Sequence, residues 1–203
     1  MPSRETTRRI PGAVVPAARR IHGVLLAGLR AVGAKIAGTL GRRPVRPRDR
    51  GGLGVAHGAV PAGVTVFDDA VPAVARLDPA LLSALRRAGA AAAAAGIELR
   101  VNSGWRSPEY QSVLLREAVT KYGSEAEAAR WVATPETSAH VAGEAVDIGP
   151  PASASWLSEH GAEYGLCRIY RNEPWHYELR PEAIEHGCPP RYADPSHDPR
   201  MRR

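Results

Sequence analysis

Four side chains stand out for what their types and spacing could do. His140 and Asp147 flank Gly143, and Glu173-Pro174-Trp175-His176 brings a second imidazole with a carboxylate just ahead of it. A catalytic zinc site needs three protein ligands drawn from His, Cys, Asp or Glu and one position left for water. His140, Asp147 and His176 make up such a set, and Glu173 would stand beside it as acid and base. Gly143 lets the chain turn between His140 and the segment that presents Asp147. Against this, the chain has seven histidines, and a His near an Asp is commonly a simple hydrogen-bonded pair. Neither zinc-finger spacing nor H-E-x-x-H occurs. His160, His186 and His197 lack any motif and read as solvated, while His22 and His57 fall outside the folded region.

Positioning these groups falls to a set of elements that can be read from local patterns. Asp78 before Pro79 is an N-cap with proline at the first helical position, so a helix spans 79–95 with Leu81, Leu82, Leu85, Ala88 and Ala92 inward and Gly96 ending it. Ile97 to Val101 alternates and reads as a half-buried strand. Ser103-Gly104-Trp105-Arg106-Ser107 is a turn, and Ser107-Pro108 opens a second helix to about Tyr122. Short helices follow at 125–132 and 152–164, with a loop at 134–143. Strands are expected at 144–148, 166–170 and 175–179, the last two joined by a turn at 171–174. In the strand at 144–148, Val146 and Ile148 face the core and Asp147 the other side. In the last strand Glu178 shares a face with His176, which makes it a rival to Glu173 or a group that hydrogen-bonds a ligand His. The fold class is α+β with a small antiparallel sheet.

Charge is unevenly spread. Residues 1–50 hold twelve Lys/Arg against Glu5 and Asp49, a net +10, whereas residues 51–203 hold fifteen against nineteen acids, a net −4. The basic character therefore belongs to the tail, and a nucleic-acid surface on the folded part is not supported. Residues 1–60 read as a basic Arg/Gly/Pro-rich tail and linker. The apolar run at 21–29 is too short to span a bilayer. It reads as an export signal or a membrane-surface helix, with a disordered extension as the alternative. The folded domain is placed at 61–192 and a disordered C-terminal tail at 193–203. All four tryptophans, Trp105, Trp131, Trp156 and Trp175, lie in the second half, where any aromatic-walled pocket belongs. Cys167 and Cys188 are the only cysteines. A disulfide between them implies an oxidising compartment; two reduced thiols or a second metal site are the alternatives.

Three motifs then carry a resemblance. Ser138-x-His140-x-x-Gly143-x-Ala145-x-Asp147, Glu173-Pro174-Trp175-His176, and Ser103-Gly104-Trp105-Arg106-Ser107 with Gln111 following resemble, in order and spacing, the signatures of VanY-type D-alanyl-D-alanine carboxypeptidases. The resemblance covers roughly residues 61–190. It implies the small α+β zinc-peptidase fold shared with the Hedgehog signalling domain. It implies one catalytic Zn2+ on His140, Asp147 and His176, with Glu173 as general base and acid. Arg106 would polarise the substrate carbonyl or grip its terminal carboxylate, and Ser138, Gln111 and Trp175 would shape the pocket. The implied activity is hydrolysis of the terminal D-Ala-D-Ala bond of peptidoglycan stem peptides by a monomer outside the cytoplasm. A dipeptidase, an endopeptidase or a non-catalytic zinc-binding recognition module are the alternatives.

Overall fold

The computed structural model describes residues 53–202. The basic stretch at 1–50 and its apolar run, with the export and membrane-surface readings that rest on them, lie outside the described residues. Seven helices and four strands follow in chain order: α1 (Pro72–Ala75), α2 (Pro79–Ala94), β1 (Arg100–Ser103), α3 (Pro108–Tyr122), α4 (Glu125–Ala128), α5 (Ala139–Ala142), β2 (Ala145–Gly149), α6 (Pro151–His160), β3 (Leu166–Arg168), β4 (His176–Leu179) and α7 (Ala183–His186). The strands form one antiparallel sheet in the order β1-β2-β4-β3.

Capping sets the helix starts. The Asp78 carboxylate accepts from the backbone N–H groups of Ala80 and Leu81, both at 2.9 Å, and Ser107 caps α3 through the N–H of Tyr110. Each satisfies a donor the first helical turn leaves free, worth about 1 kcal/mol. Helices α2 and α6 cover one face of the sheet. There Leu81, Leu85 and Leu157 pack with Val146, Ile148 and Tyr177 in the main core. Each fully buried leucine contributes roughly 1.5–3 kcal/mol. The α+β sheet with flanking helices is as the sequence suggests.

Several boundaries differ. The first strand begins at Arg100 rather than Ile97, because the Ile97 N–H is still bonded to the Ala92 carbonyl as the chain leaves α2. The loop at 134–143 contains the single turn α5, capped by Ser138, and α6 gives way after His160 to a 3₁₀ turn over Gly161–Tyr164. Part of the expected linker packs on the domain: the Ser107 N–H bonds the His57 carbonyl at 2.9 Å. At Gly58, with φ +101°, a Cβ would lie 2.2 Å from the Trp105 carbonyl oxygen.

The C-terminal end needs a correction. Composition suggests disorder from residue 193, yet residues 195–197 and 199–202 form 3₁₀ turns with Asp194 and Asp198 buried. The cause is electrostatic. Asp198 accepts from the Tyr170 hydroxyl at 3.0 Å and from Arg200, whose guanidinium reaches Glu178 on the polar face of the sheet. Tyr170 and Glu178 lie more than twenty residues from Asp198 and Arg200, so no local pattern announces them.

Cys167 and Cys188 form a disulfide that ties β3 to the segment after α7. Closing a loop with a sequence separation of 21 limits the unfolded chain by roughly 3 kcal/mol. Replacing both cysteines with serine is expected to lower unfolding stability by about that amount in a denaturant titration; a loss below half of it would mean that the bridge adds little.

Candidate metal centre

The site is built at one register position of the sheet. In the β2–β4 ladder Asp147 pairs with His176, Val146 with Tyr177 and Ala145 with Glu178. Successive strand residues point to opposite faces, so Val146 and Tyr177 enter the core while Asp147, His176 and Glu178 face the other way. His140 arrives from α5. Gly143 ends that turn at φ +78°, where a Cβ would sit 2.6 Å from the Arg76 carbonyl oxygen. The Glu144 N–H then bonds back to the Ala139 carbonyl at 2.7 Å, aiming the chain into β2.

His140, Asp147 and His176 are all buried, and each offers one ligand atom within 4.8 Å of the others. His140 Nε2 lies 3.5 Å and His176 Nδ1 3.2 Å from the same oxygen, Asp147 Oδ1. Ligands about 2.0–2.1 Å from a tetrahedral ion are roughly 3.3 Å apart, and both spacings to Asp147 Oδ1 are close to that value. The outer ring nitrogens are also engaged. His140 Nδ1 donates to the Gly104 carbonyl at 2.9 Å, and His176 Nε2 lies 3.2 Å from Glu178 Oε1. Partners of this kind fix the tautomer and orientation of a ligating imidazole. The shared face of His176 and Glu178 was readable from strand alternation; the Gly104 carbonyl, a backbone atom, had no sequence signal.

Each residue of Ser103–Ser107 has a task. Ser103 pairs with Asp147 across a β-bulge, and bulges re-aim side chains beside sites. Gly104 fits where a Cβ would lie 2.1 Å from the Ala73 carbonyl oxygen. The Trp105 N–H bonds that same carbonyl at 2.8 Å, and the Arg106 N–H bonds the His140 carbonyl at 3.1 Å. The Arg106 guanidinium donates to Ser103 Oγ at 2.8 Å, Gln111 Oε1 at 3.1 Å and Asp147 Oδ2 at 3.1 Å. It therefore holds the second oxygen of Asp147 while bordering the cleft. Gln111 is buried and also donates to the Ala133 carbonyl at 2.8 Å, which makes it a brace for Arg106. Ser138 caps α5 at the cleft edge, and the partly exposed Trp175 forms part of its wall.

Glu173 is buried, with Oε2 3.7 Å from His176 Nδ1. Glu173 and Glu178 thus meet different nitrogens of the His176 ring, Glu173 at Nδ1 on the cleft side and Glu178 at Nε2. The cleft has a volume of about 270 Å³. A longer groove of about 780 Å³ between α3 and the C-terminal segment shares Val132, Ala133 and Met201 with it.

Protonation follows burial and partners. Burial, helped by Arg106, pushes His140 below its ordinary value. Burial would raise Asp147, but His140, His176 and Arg106 outweigh it and hold the carboxylate well below the usual range. Burial would lower His176, yet Asp147 and Glu178 raise it to about 9. Glu173 is raised to about 7, chiefly by burial, with Asp147 adding and His176 opposing.

Fold and site together define a small α+β domain carrying a buried His/Asp/His centre with a protonatable carboxyl beside it. Comparison gives the family. The profile of the VanY D-alanyl-D-alanine carboxypeptidases matches residues 74–182, and the chain belongs to that family. A curated D-alanyl-D-alanine carboxypeptidase of Enterococcus faecalis is 37% identical, over 43% of this chain and 42% of the relative. The chain thus spans less than half the length of that protein. Among solved structures, a vancomycin-resistance D,D-pentapeptidase VanY, a glutamate-to-alanine variant in complex with Zn(II), is 32% identical. It has a TM-score of 0.50 over 55% of this chain and 75% of that one. VanYB in complex with D-alanine-D-alanine gives the same identity and TM-score over 55% and 74%. The LD-carboxypeptidase LdcB, at 24% identity, a TM-score of 0.50 and coverage of 63% and 71%, shares the fold.

With His176 at about 9 in metal-free protein, the ring is protonated at pH 7 and a metal must displace that proton. Calorimetry of zinc uptake at pH 7 in buffers of different ionisation enthalpy is expected to show about one proton released per ion, with affinity falling as pH drops. Uptake without proton release would mean that His176 is already neutral in the metal-free protein.

Proposed function

We propose that this chain is a zinc-dependent D-alanyl-D-alanine carboxypeptidase that removes the terminal residue of peptidoglycan stem peptides. The observation that carries it is the buried Glu173 carboxyl beside a His/Asp/His set whose outer ring nitrogens are already held. His140, Asp147 and His176 would hold a zinc ion, which when bound would supply Lewis acidity and lower the pKa of a water to about 7. Glu173 takes the proton of the attacking water and delivers it to the departing amine. In the metal-free domain burial raises this carboxyl to about 7, and a bound cation would lower it toward the carboxylate form that accepts a proton. Arg106 keeps Asp147 in place through one N–H and faces the growing negative charge, or the terminal carboxylate, with the rest of its fork. Ser138, Gln111 and Trp175 shape the pocket, the first two by holding α5 and Arg106.

The larger groove that shares Val132, Ala133 and Met201 with the cleft offers room for a peptide longer than free D-Ala-D-Ala. A recognition module that binds zinc without hydrolysis is the competing reading; a raised, buried Glu173 next to the centre has no purpose in it. An extracytoplasmic location, secreted or attached to the envelope, accords with the Cys167–Cys188 disulfide and a cell-wall substrate. Among the described residues no helix is long and apolar enough to cross a membrane.

The test is product analysis by mass spectrometry. Zinc-loaded protein is expected to release one D-alanine from a synthetic stem pentapeptide and to act poorly on free D-Ala-D-Ala. Glu173→Gln should keep one zinc while hydrolysis falls by on the order of 10²–10⁴. Full activity in that variant would remove Glu173 from the mechanism, and no turnover by zinc-loaded wild-type protein would favour the recognition module.

A further inference from the structure

The family match ends at residue 182, but the side chains that hold the metal centre from below do not. Glu178 is almost wholly buried, 1% exposed, and accepts three hydrogen bonds from two guanidinium groups besides facing His176. Arg200 donates to Oε2 at 2.7 Å through Nη1 and to Oε1 at 3.1 Å through Nη2, and Arg180 donates to Oε2 at 2.7 Å. Oε1 is the atom that faces His176 Nε2 at 3.2 Å. A second route reaches the same ring. The Tyr170 ring lies 5.1 Å from that of His176, centroid to centroid, and its hydroxyl donates to Asp198 Oδ2 at 3.0 Å. Asp198 is fully buried and also accepts from Arg200. The same segment places Pro195 and Met201 in the cleft wall.

We propose that residues 194–202 form a latch that positions the metal ligand His176, with Arg200 clamping Glu178 against the ring and Asp198 holding Tyr170 over it. Arg200 and Asp198 are positioning residues; neither touches substrate or metal. The physical reason for a latch lies in the carboxylate. A buried carboxylate with one cationic neighbour would rotate toward it, and Arg180 reaches only Oε2. Arg200 spans both oxygens with parallel N–H bonds, the geometry in which a guanidinium fixes a carboxylate plane. That fixed plane keeps Oε1 available to the Nε2–H of His176, so Nδ1 stays directed at the ion. Without the fork, the ring loses its anchor while the Asp147 register stays intact.

This inference rests on His176 being a metal ligand, and zinc affinity tests it independently of hydrolysis. Arg200→Ala is compared with wild type by chelator competition and by the visible spectrum of the cobalt-substituted protein. Zinc affinity is expected to fall about tenfold, as when other outer-shell partners are removed, the cobalt bands to shift, and kcat to drop with KM little changed. Arg200→Lys, with one charge but no fork, should recover only part of the affinity. A merely structural role would lower thermal stability and leave the zinc affinity and cobalt spectrum of the folded protein unchanged; that result overturns the proposal. If Arg200→Ala does not fold, Asp198→Asn is read in the same way, and unchanged affinity there overturns it equally. Zinc binding that depends on Arg200 in a protein that hydrolyses no peptide would remove the proposed activity and leave the latch standing.

Discussion

Everything at the centre depends on one pairing, Asp147 opposite His176 in the β2–β4 ladder. A slip of one residue would exchange the faces of a strand. Val146 or Tyr177 would then enter the polar site, and Asp147 or His176 would enter a core of leucines. The hydrophobic face therefore fixes how Asp147 and His176 meet: Leu81, Leu85 and Leu157 accept only one set of strand residues. The short antiparallel sheet gains its precision from the helices behind it, since four strands of this length specify register weakly by themselves.

Burial of so much charge has to be balanced. Asp147, Glu173, His176 and Glu178 are all buried, and an unpaired ion in such surroundings costs several kcal/mol. The balance is met by graded pairing. Asp147 has Arg106 and two imidazoles, Glu178 has two guanidiniums and His176, and Glu173 has no comparable hydrogen bond. The first two carboxylates are consequently held low and the third is raised. One neighbourhood thus separates its carboxylates by partner number, leaving the group nearest the cleft as the one able to exchange a proton.

The centre was legible in the sequence where it depends on local pattern. Strand alternation places Asp147 and Glu178 on the polar face, the glycine marks the turn after His140, and Asp78 and Ser107 announce the two long helices. Residue types alone offer His140, Asp147 and His176 as one candidate set, and the resemblance gives that set its weight, because nothing in spacing alone brings His176 to Asp147. Two kinds of contact were illegible. The Gly104 carbonyl that steers His140 is backbone, which every residue type shares. The Asp198 and Arg200 side chains occupy a stretch whose composition resembles disorder; their order comes from buried partners at Tyr170 and Glu178.

That difference bears on how the domain is bounded. A boundary drawn from composition or from family likeness falls before residue 194, yet the sheet's polar face is closed only by the residues beyond it. Removing them would leave Glu178 with Arg180 alone and strip Tyr170 of its buried acceptor. A half-satisfied polar network in a buried place is less stable than either a complete one or an apolar substitute. The functional unit therefore runs to the end of the latch, because the electrostatic accounting of the centre closes only there.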